Sequence, residues 1–239
     1  MIKAVLFDFW DTLVPSADQL SYARAQGEAL SKRLTEFGYS IKLDVMIRAF
    51  LENHQTCDEE RKRTEIEVPV KIEVTRLIEM LGFPESPKLI GKLTDAYQQV
   101  FIKYIPPPRP NAQQILKILK LSGYKLAVVS NTACGRCLHY HLEKHLLAQY
   151  LSATIFSDAI GYRKPNPKIF EVALAKLEVQ PEETIHVGDN PYDDIFGAKR
   201  LGMKTILFSE KTLPKTWAKA DIVITTLKQL PDYVRKLSI

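Results

Sequence analysis

Six short runs rich in β-branched and large apolar residues punctuate the chain. They are "IKAVLFDF" at the start, "YKLAVVSN" (Tyr124 to Asn131), "ATIFSD" (Ala153 to Asp158), "TIHVGD" (Thr184 to Asp189), "KTILFS" (Lys204 to Ser209) and "DIVIT" (Asp221 to Thr225). Continuous apolar runs, as opposed to alternating ones, fit strands of a sheet covered on both faces. From Asn111 onward, helix-length segments such as "NAQQILKILKLSG" and "PKIFEVALAKLEV" separate them. Strands alternating with helices predict an α/β fold, a Rossmann-like and mostly parallel sheet.

Between the first two strands the pattern changes. From about Asp18 to Tyr104 only helical periodicities occur: "LSYARAQGEALSKRLTEFG", "LDVMIRAFLENHQ", "VKIEVTRLIEMLG" and "PKLIGKLTDAYQQVFIKY". Gly38 and Gly82 fall where helix ends favour glycine. The expectation is a core of residues 1–15 and 107–239, with an all-helical cap domain, 16–106, inserted into it. Pro15 and "IPPPRPN" (Ile105 to Asn111) stiffen its junctions, which suits a lid swinging over a defined place.

Composition narrows the class. Hydrophobic residues make up 46% and charged residues 26%, an ordinary globular balance. The net charge of +5 is spread along the chain, and its densest cluster, "EERKRTE" (Glu59 to Glu65), is interleaved with acids and reads as solvated surface. Such a spread suits anionic small molecules and gives no reason to expect nucleic acid. The N-terminus reaches Asp8 before a signal peptide could complete its apolar region, and no apolar run approaches the roughly 20 residues of a membrane span. With an odd count of three cysteines, the expectation is a cytoplasmic protein without membrane partners.

In an open parallel sheet, ligands bind beyond the carboxyl ends of the strands. Asp8, Ser130-Asn131 and Gly188-Asp189 stand there. In "HVGDNPYDDIFGA", Asp189, Asp193 and Asp194 crowd one strand end. Gathered carboxylates repel unless a cation offsets them, and oxygen-only ligands favour Mg²⁺. A plain helix-capping turn is the competing reading of the same stretch. "SNT" (Ser130 to Thr132) offers a hydroxyl and backbone N–H groups as an anion seat. Lys164, in "GYRKPNPKIF", can neutralise a nucleophilic carboxylate and a bound phosphate together.

With "FDFWDTL", "VVSNT", "YRKPNP" and "VGDNPYDDIFGA" in that order, the chain resembles the haloacid dehalogenase-like hydrolase superfamily over its whole length. The resemblance implies that Asp8 is a nucleophile forming an aspartyl intermediate, that Ser130 binds the transferring group, and that Lys164 orients and neutralises it. It implies Mg²⁺ held by Asp8, Asp189 and the backbone carbonyl of Trp10, with Asp194 as the further acid and Asp193 its rival. Trp10, Thr12 and Asn131 join the substrate-binding set. The implied activity is a Mg²⁺-dependent phosphatase acting on a small phosphorylated metabolite, under a helical cap.

Trp10 departs from the pattern. Phosphatases of this family usually carry Asp there, to protonate the leaving group and activate water, and indole does neither. Asp11, one position on, should point elsewhere. General acid–base help is worth about 10²–10⁴, so poor leaving groups should react slowly. The dehalogenating branch has an aromatic residue near this position, making a 2-haloacid dehalogenase the alternative; it lacks the Gly-Asp metal acid that Gly188-Asp189 retains. A third reading is a weakly active or silent phospho-ligand or partner binder. Cys134, Cys137, His141 and His145 climb too much helix to ligate one ion and read as ordinary helix residues. Tyr22, Arg24, Arg48 and His54 are possible substrate contacts in the cap, more simply surface or packing residues, and Trp217 reads as packing.

Overall fold

A computed structural model describes residues 1–210 and 219–238; Trp217 lies outside them. All six expected strands form: β1 (Ala4–Phe7), β2 (Lys125–Ser130), β3 (Ala153–Phe156), β4 (Thr184–Gly188), β5 (Lys204–Phe208) and β6 (Ile222–Ile224). They make one all-parallel sheet in the order β3-β2-β1-β4-β5-β6. Side chains alternate across it. Val5, Phe7, Val128 and Val187 belong to the core on one face, while Ala4, Leu6, Ala127 and Val129 belong to the core on the other. Burial of both faces is why the strands read as unbroken apolar runs.

Four helices follow β1: α1 (Gln19–Glu36), α2 (Leu43–Thr64), α3 (Val70–Met80) and α4 (Pro87–Tyr104). Asp18 caps α1 through Ser21 N–H, and Ser86 caps α4 through Leu89 N–H with Pro87 in the first turn. Gly38 (φ 83°) and Gly82 (φ 71°) adopt the left-handed backbone that ends α1 and α3. The remaining helices are α5 (Ala112–Leu121), α6 (Gly135–Lys144), α7 (Ser157–Ile160), α8 (Pro167–Leu177), α9 (Gly197–Lys199) and α10 (Leu230–Leu237). Helix α8 covers one face of the sheet, while α5, α6 and α10 pack on the other, where the core continues into the insert. No helix among the described residues is long and apolar enough to cross a membrane.

Two features depart from the sequence expectation. Helix α2 runs nine residues past the Gln55 at which its apolar periodicity fades. Its buried face there is Cys57 and Arg61, so "EERKRTE" is not wholly solvated surface: Arg61 is 3% exposed. Arg61 Nε donates to Glu67 (2.7 Å), Nη1 to Asp58 (2.8 Å), and Nη2 to the Val68 carbonyl (2.5 Å) and to Glu73. The second feature is an attachment between insert and core away from the proline joints. Glu67 N–H donates to the Gly161 carbonyl, Arg163 N–H to the Glu65 carbonyl and Val70 N–H to the Ala133 carbonyl. Glu67, itself fully buried, also accepts from Arg163 and from the Ser157 hydroxyl.

Removing one partner of a buried ion pair leaves the others desolvated without compensation. Arg61→Leu, which takes the guanidinium from Glu73 and leaves Glu67 with Arg163 as its remaining cationic partner, is expected to cost about 3–5 kcal/mol of stability in urea unfolding.

Candidate active site

The sheet reverses direction of travel at β1, with β2 on one side and β4 on the other, so the crevice at this switch point opens beside Asp8. Asp8 follows the last residue of β1, its N–H donated to the Val187 carbonyl of β4 (2.8 Å). Its carboxylate lies at one end of a cavity of about 590 Å³ between sheet and insert.

Lys164 reaches the same point from the loop before α8. Its Nζ donates to Asp8 Oδ1 (2.5 Å) and to Asp194 Oδ1 (2.6 Å). Asn131, beyond β2, pins the lysine backbone at both ends: its Oδ1 accepts from Lys164 N–H and its Nδ2 donates to the Lys164 carbonyl. Asp194 is held from the other side by His186 Nε2 (2.9 Å) and by Asn190 N–H (3.0 Å). Nε2 is the donor, since the Asp194 carboxylate can only accept when ionised, and burial holds His186 below its ordinary value. Asn190 also caps the π-helical turn Pro191–Phe196 by accepting from Tyr192 and Asp193 N–H groups. Gly188 is required for close approach, because an added Cβ would fall inside the Asp194 carboxyl group.

Ligand oxygens of Asp8, Asp189 and Asp194 all lie within 4.8 Å of one another. Burial disfavours charge on all three, and their neighbours divide them. Asp8 sits well above the usual carboxylate range through burial, with the Lys164 charge opposing and Asp194 and Asp189 adding to the rise. Asp189 is pushed up to about 7 by burial, Asp194 and Asp11. For Asp194, Lys164 and His186 outweigh burial and hold it below its ordinary value. Lys164 is held above its own ordinary value by Asp194 and Asp8, against burial. One ammonium among three carboxylates leaves the cluster short of positive charge, and an all-oxygen donor set suits a hard divalent cation. Asp193 is half-buried on the cavity wall and reaches neither Lys164 nor His186.

The other expected residues scatter. Trp10 lines the cavity, packed edge-on against Phe9 (4.9 Å) and Phe101 (5.9 Å) of α4. Asp11 takes a left-handed backbone (φ 52°), and its carboxylate accepts from Ser16 N–H (2.9 Å) and Oγ (2.5 Å). Thr12 and Ser130 are fully buried and lie outside the cavity lining, where Asn131, Thr132 and Ala133 appear instead. On the insert side the lining includes Tyr22, His54, Asp58, Arg61, Glu73 and Tyr97. Arg24 and Arg48 are exposed and pair with Glu28 and Asp44 on their own helices. His186, Arg61, Glu67 and Glu73 were missed by the sequence reading, since their roles rest on partners distant along the chain.

Cys134 and Cys137 correct the reading as ordinary helix residues: they form a disulfide, with Cα atoms 5.4 Å apart. Cys134 is the N-cap of α6 and has non-helical backbone, so its side chain turns back to the first turn. His141 is buried against Phe9, and burial with His145 and Lys144 nearby lowers it to about 4.

A carboxylate raised by burial costs stability when ionised. Asp189→Asn is therefore expected to raise the melting temperature at pH 8 in EDTA by several degrees. The gain should be full above pH about 7, where Asp189 is ionised in both folded and unfolded chains. It should shrink toward pH 4, where the folded carboxyl is already protonated. Melting curves at the two pH values check the sign.

Residues 2–202 match the sequence profile of a hydrolase family described as haloacid dehalogenase-like hydrolase. A glyceraldehyde 3-phosphate phosphatase of Methanopyrus kandleri is 33% identical over 215 residues, covering 86% of this chain and 83% of its own. A ribulose-1,5-bisphosphate 5-phosphatase of Halopiger xanaduensis is 30% identical, covering 98% of this chain and 100% of its own. Among solved structures, a 2-haloacid dehalogenase of Pseudomonas syringae pv. Tomato DC3000 gives a TM-score of 0.73 at 24% identity over 99% of both chains, a likeness of fold alone. Since the profile match spans most of the chain and includes Asp8, Lys164 and Asp189, this chain belongs to the haloacid dehalogenase-like hydrolase family.

Proposed function

We propose that the protein is a Mg²⁺-dependent phosphatase that hydrolyses a small phosphorylated metabolite through Asp8. One observation carries the reading: the Asp8 carboxylate is paired with Lys164 at a cavity end where Asp189 and Asp194 gather within 4.8 Å. Two further carboxylates are poor company for a nucleophilic one unless a cation accompanies them, and a dehalogenase has no use for that cation. Phosphatase names among relatives near one-third identity support the same substrate chemistry.

In this reading an Asp8 oxygen attacks phosphorus, and the bond from phosphorus to the ester oxygen breaks. That oxygen leaves with the electron pair and takes up a proton. Water then attacks the phosphorus of the aspartyl phosphate, releasing phosphate and restoring Asp8. Lys164 holds Asp8 in place and offers positive charge to the transferring oxygens, and Asn131 fixes the lysine backbone so that its reach is constant. In the loop after β2, Asn131 and Ala133 would supply N–H groups to an anion seat, the Thr132 and Cys134 N–H groups being donated to Ser157 Oγ and Thr132 Oγ1. Asp8, Asp189, the Trp10 carbonyl and Asp194 would hold Mg²⁺, which when bound neutralises charge on the transferred group. The helical insert acts as a cap that keeps bulk water from the intermediate. Trp10 takes no part in proton transfer.

Asp8→Asn is expected to abolish phosphate release from p-nitrophenyl phosphate, as is EDTA with the unaltered protein. Because Asp189 must lose its proton to ligate, apparent Mg²⁺ affinity should weaken below pH about 7, by up to about tenfold per pH unit. Halide release from 2-chloropropionate, indifferent to EDTA, would instead establish dehalogenation and make the acidic cluster structural.

A further inference from the structure

Among the described residues, the cavity wall carries many proton-bearing groups, and almost all are committed. Lys164 is divided between Asp8 and Asp194. Arg61 and Arg163 are bound to the Glu67 carboxylate, and Arg61 also to Asp58 and Glu73. The Asp11 carboxylate accepts from Ser16 twice. Tyr97 donates its hydroxyl to Glu73 (3.0 Å) and Tyr22 accepts from Gln26 (2.8 Å); burial raises both phenols further from neutrality. Asp189 and Asp193, pushed up by burial to about 7 and about 6, stand together beyond β4 on the sheet side of the cavity; on the insert side, His54 of α2 is the exception. It lines the same cavity as Asp8 and stacks on Phe50 with rings 4° from parallel. Its Nε2 is 3.7 Å from Asp58 and its Nδ1 3.8 Å from Glu73, too far for a hydrogen bond, and Nδ1 is buried without a partner.

We propose that His54 is the group that protonates the leaving oxygen, in place of the acid that Trp10 cannot be. The proposal rests on the phosphatase reading above. The phosphorus-to-oxygen bond breaks as Asp8 bonds to phosphorus, and the departing oxygen takes the imidazolium proton of His54. Neutral His54 then accepts a proton from the water that attacks the aspartyl phosphate, so the ring ends the cycle as it began. The charges around the ring suit this duty. Glu73 from α3 and Asp58 from its own helix favour the imidazolium, burial and Arg61 oppose it, and the net effect holds the ring above its ordinary value. Tyr97 of α4 adds its hydroxyl to Glu73. A ring in the cavity wall that holds its proton more firmly than a free imidazole is suited to general acid catalysis.

The test compares kcat/KM on p-nitrophenyl phosphate, whose leaving group needs no proton, with that on glycerol phosphate, whose alkoxide does. Because kcat/KM reports events only up to the departure of the alcohol, later hydrolysis of the intermediate does not enter. His54→Gln is expected to lose about 10²–10⁴ on glycerol phosphate and less than about threefold on p-nitrophenyl phosphate. The fall of the wild-type glycerol phosphate rate at high pH, where His54 is neutral, should vanish in the variant. Equal losses on both esters, with an unchanged melting temperature, would make His54 a mere binding contact and overturn the proposal. So would selective loss of the glycerol ester in Asp11→Asn with His54→Gln unaffected. A wild-type protein that releases phosphate from neither ester sinks the phosphatase reading itself, before any variant is made.

Discussion

Lys164 places one positive charge between Asp8 and Asp194, and most of the core site is arranged to keep it there. Two carboxylates so close would repel in a buried setting, and an ammonium that bonds both removes that repulsion. The supporting groups are ordinary. Asn131 clasps the lysine backbone, His186 and Asn190 fix Asp194, and Gly188 gives way so that Asp194 can approach the end of β4. Asn131 follows β2, while His186, Gly188 and Asn190 lie in or just beyond β4 of the same sheet, which makes the sheet the ruler against which these distances are set. Asp189 stands outside the lysine's reach and bears the unbalanced charge, and there a cation has most to offer.

A second buried ion-pair network ties the insert to the core. Arg61 gathers carboxylates from three places on the insert, and Glu67 hands the connection to Arg163 and Ser157 of the core. Arg163 is the neighbour of Lys164, and Ser157 Oγ accepts from Thr132 N–H in the loop after β2. Docking of the insert and the shape of two site loops are therefore one arrangement. The proline joints suggest a hinge, but backbone bonds at Gly161, Arg163 and Ala133 supply a second fastening, so any opening must break these as well.

The fold and the core of the site were legible along the chain for a simple reason. Strands buried on both faces carry few polar positions, so they appear as apolar runs, and two of them lead directly into a site residue, Phe7 into Asp8 and Gly188 into Asp189. The helices of the insert were legible as far as their buried faces are apolar. Helix α2 was cut short because its last buried position is an arginine, and an arginine becomes a core residue only when Glu67 and Glu73 arrive to pair with it. Asp193 and Asp194 are equal in sequence and differ only in which of them the π-helical turn aims at Lys164.

What the sequence determined by itself was local: the strand and helix periods, the caps, the glycine turns, and the kinds of residue standing at the strand ends. Those follow from backbone sterics and from burial, which act over a few residues at a time. Tertiary structure decided the partners. It bonded Cys134 to Cys137 where helix spacing had suggested separate thiols, drew His186 onto Asp194, and buried Arg61. It also placed His54, 46 residues beyond Asp8 in sequence, on the same cavity as Asp8. Charge and hydrogen bonding depend on distance through space, and only the packed sheet and insert fix that distance.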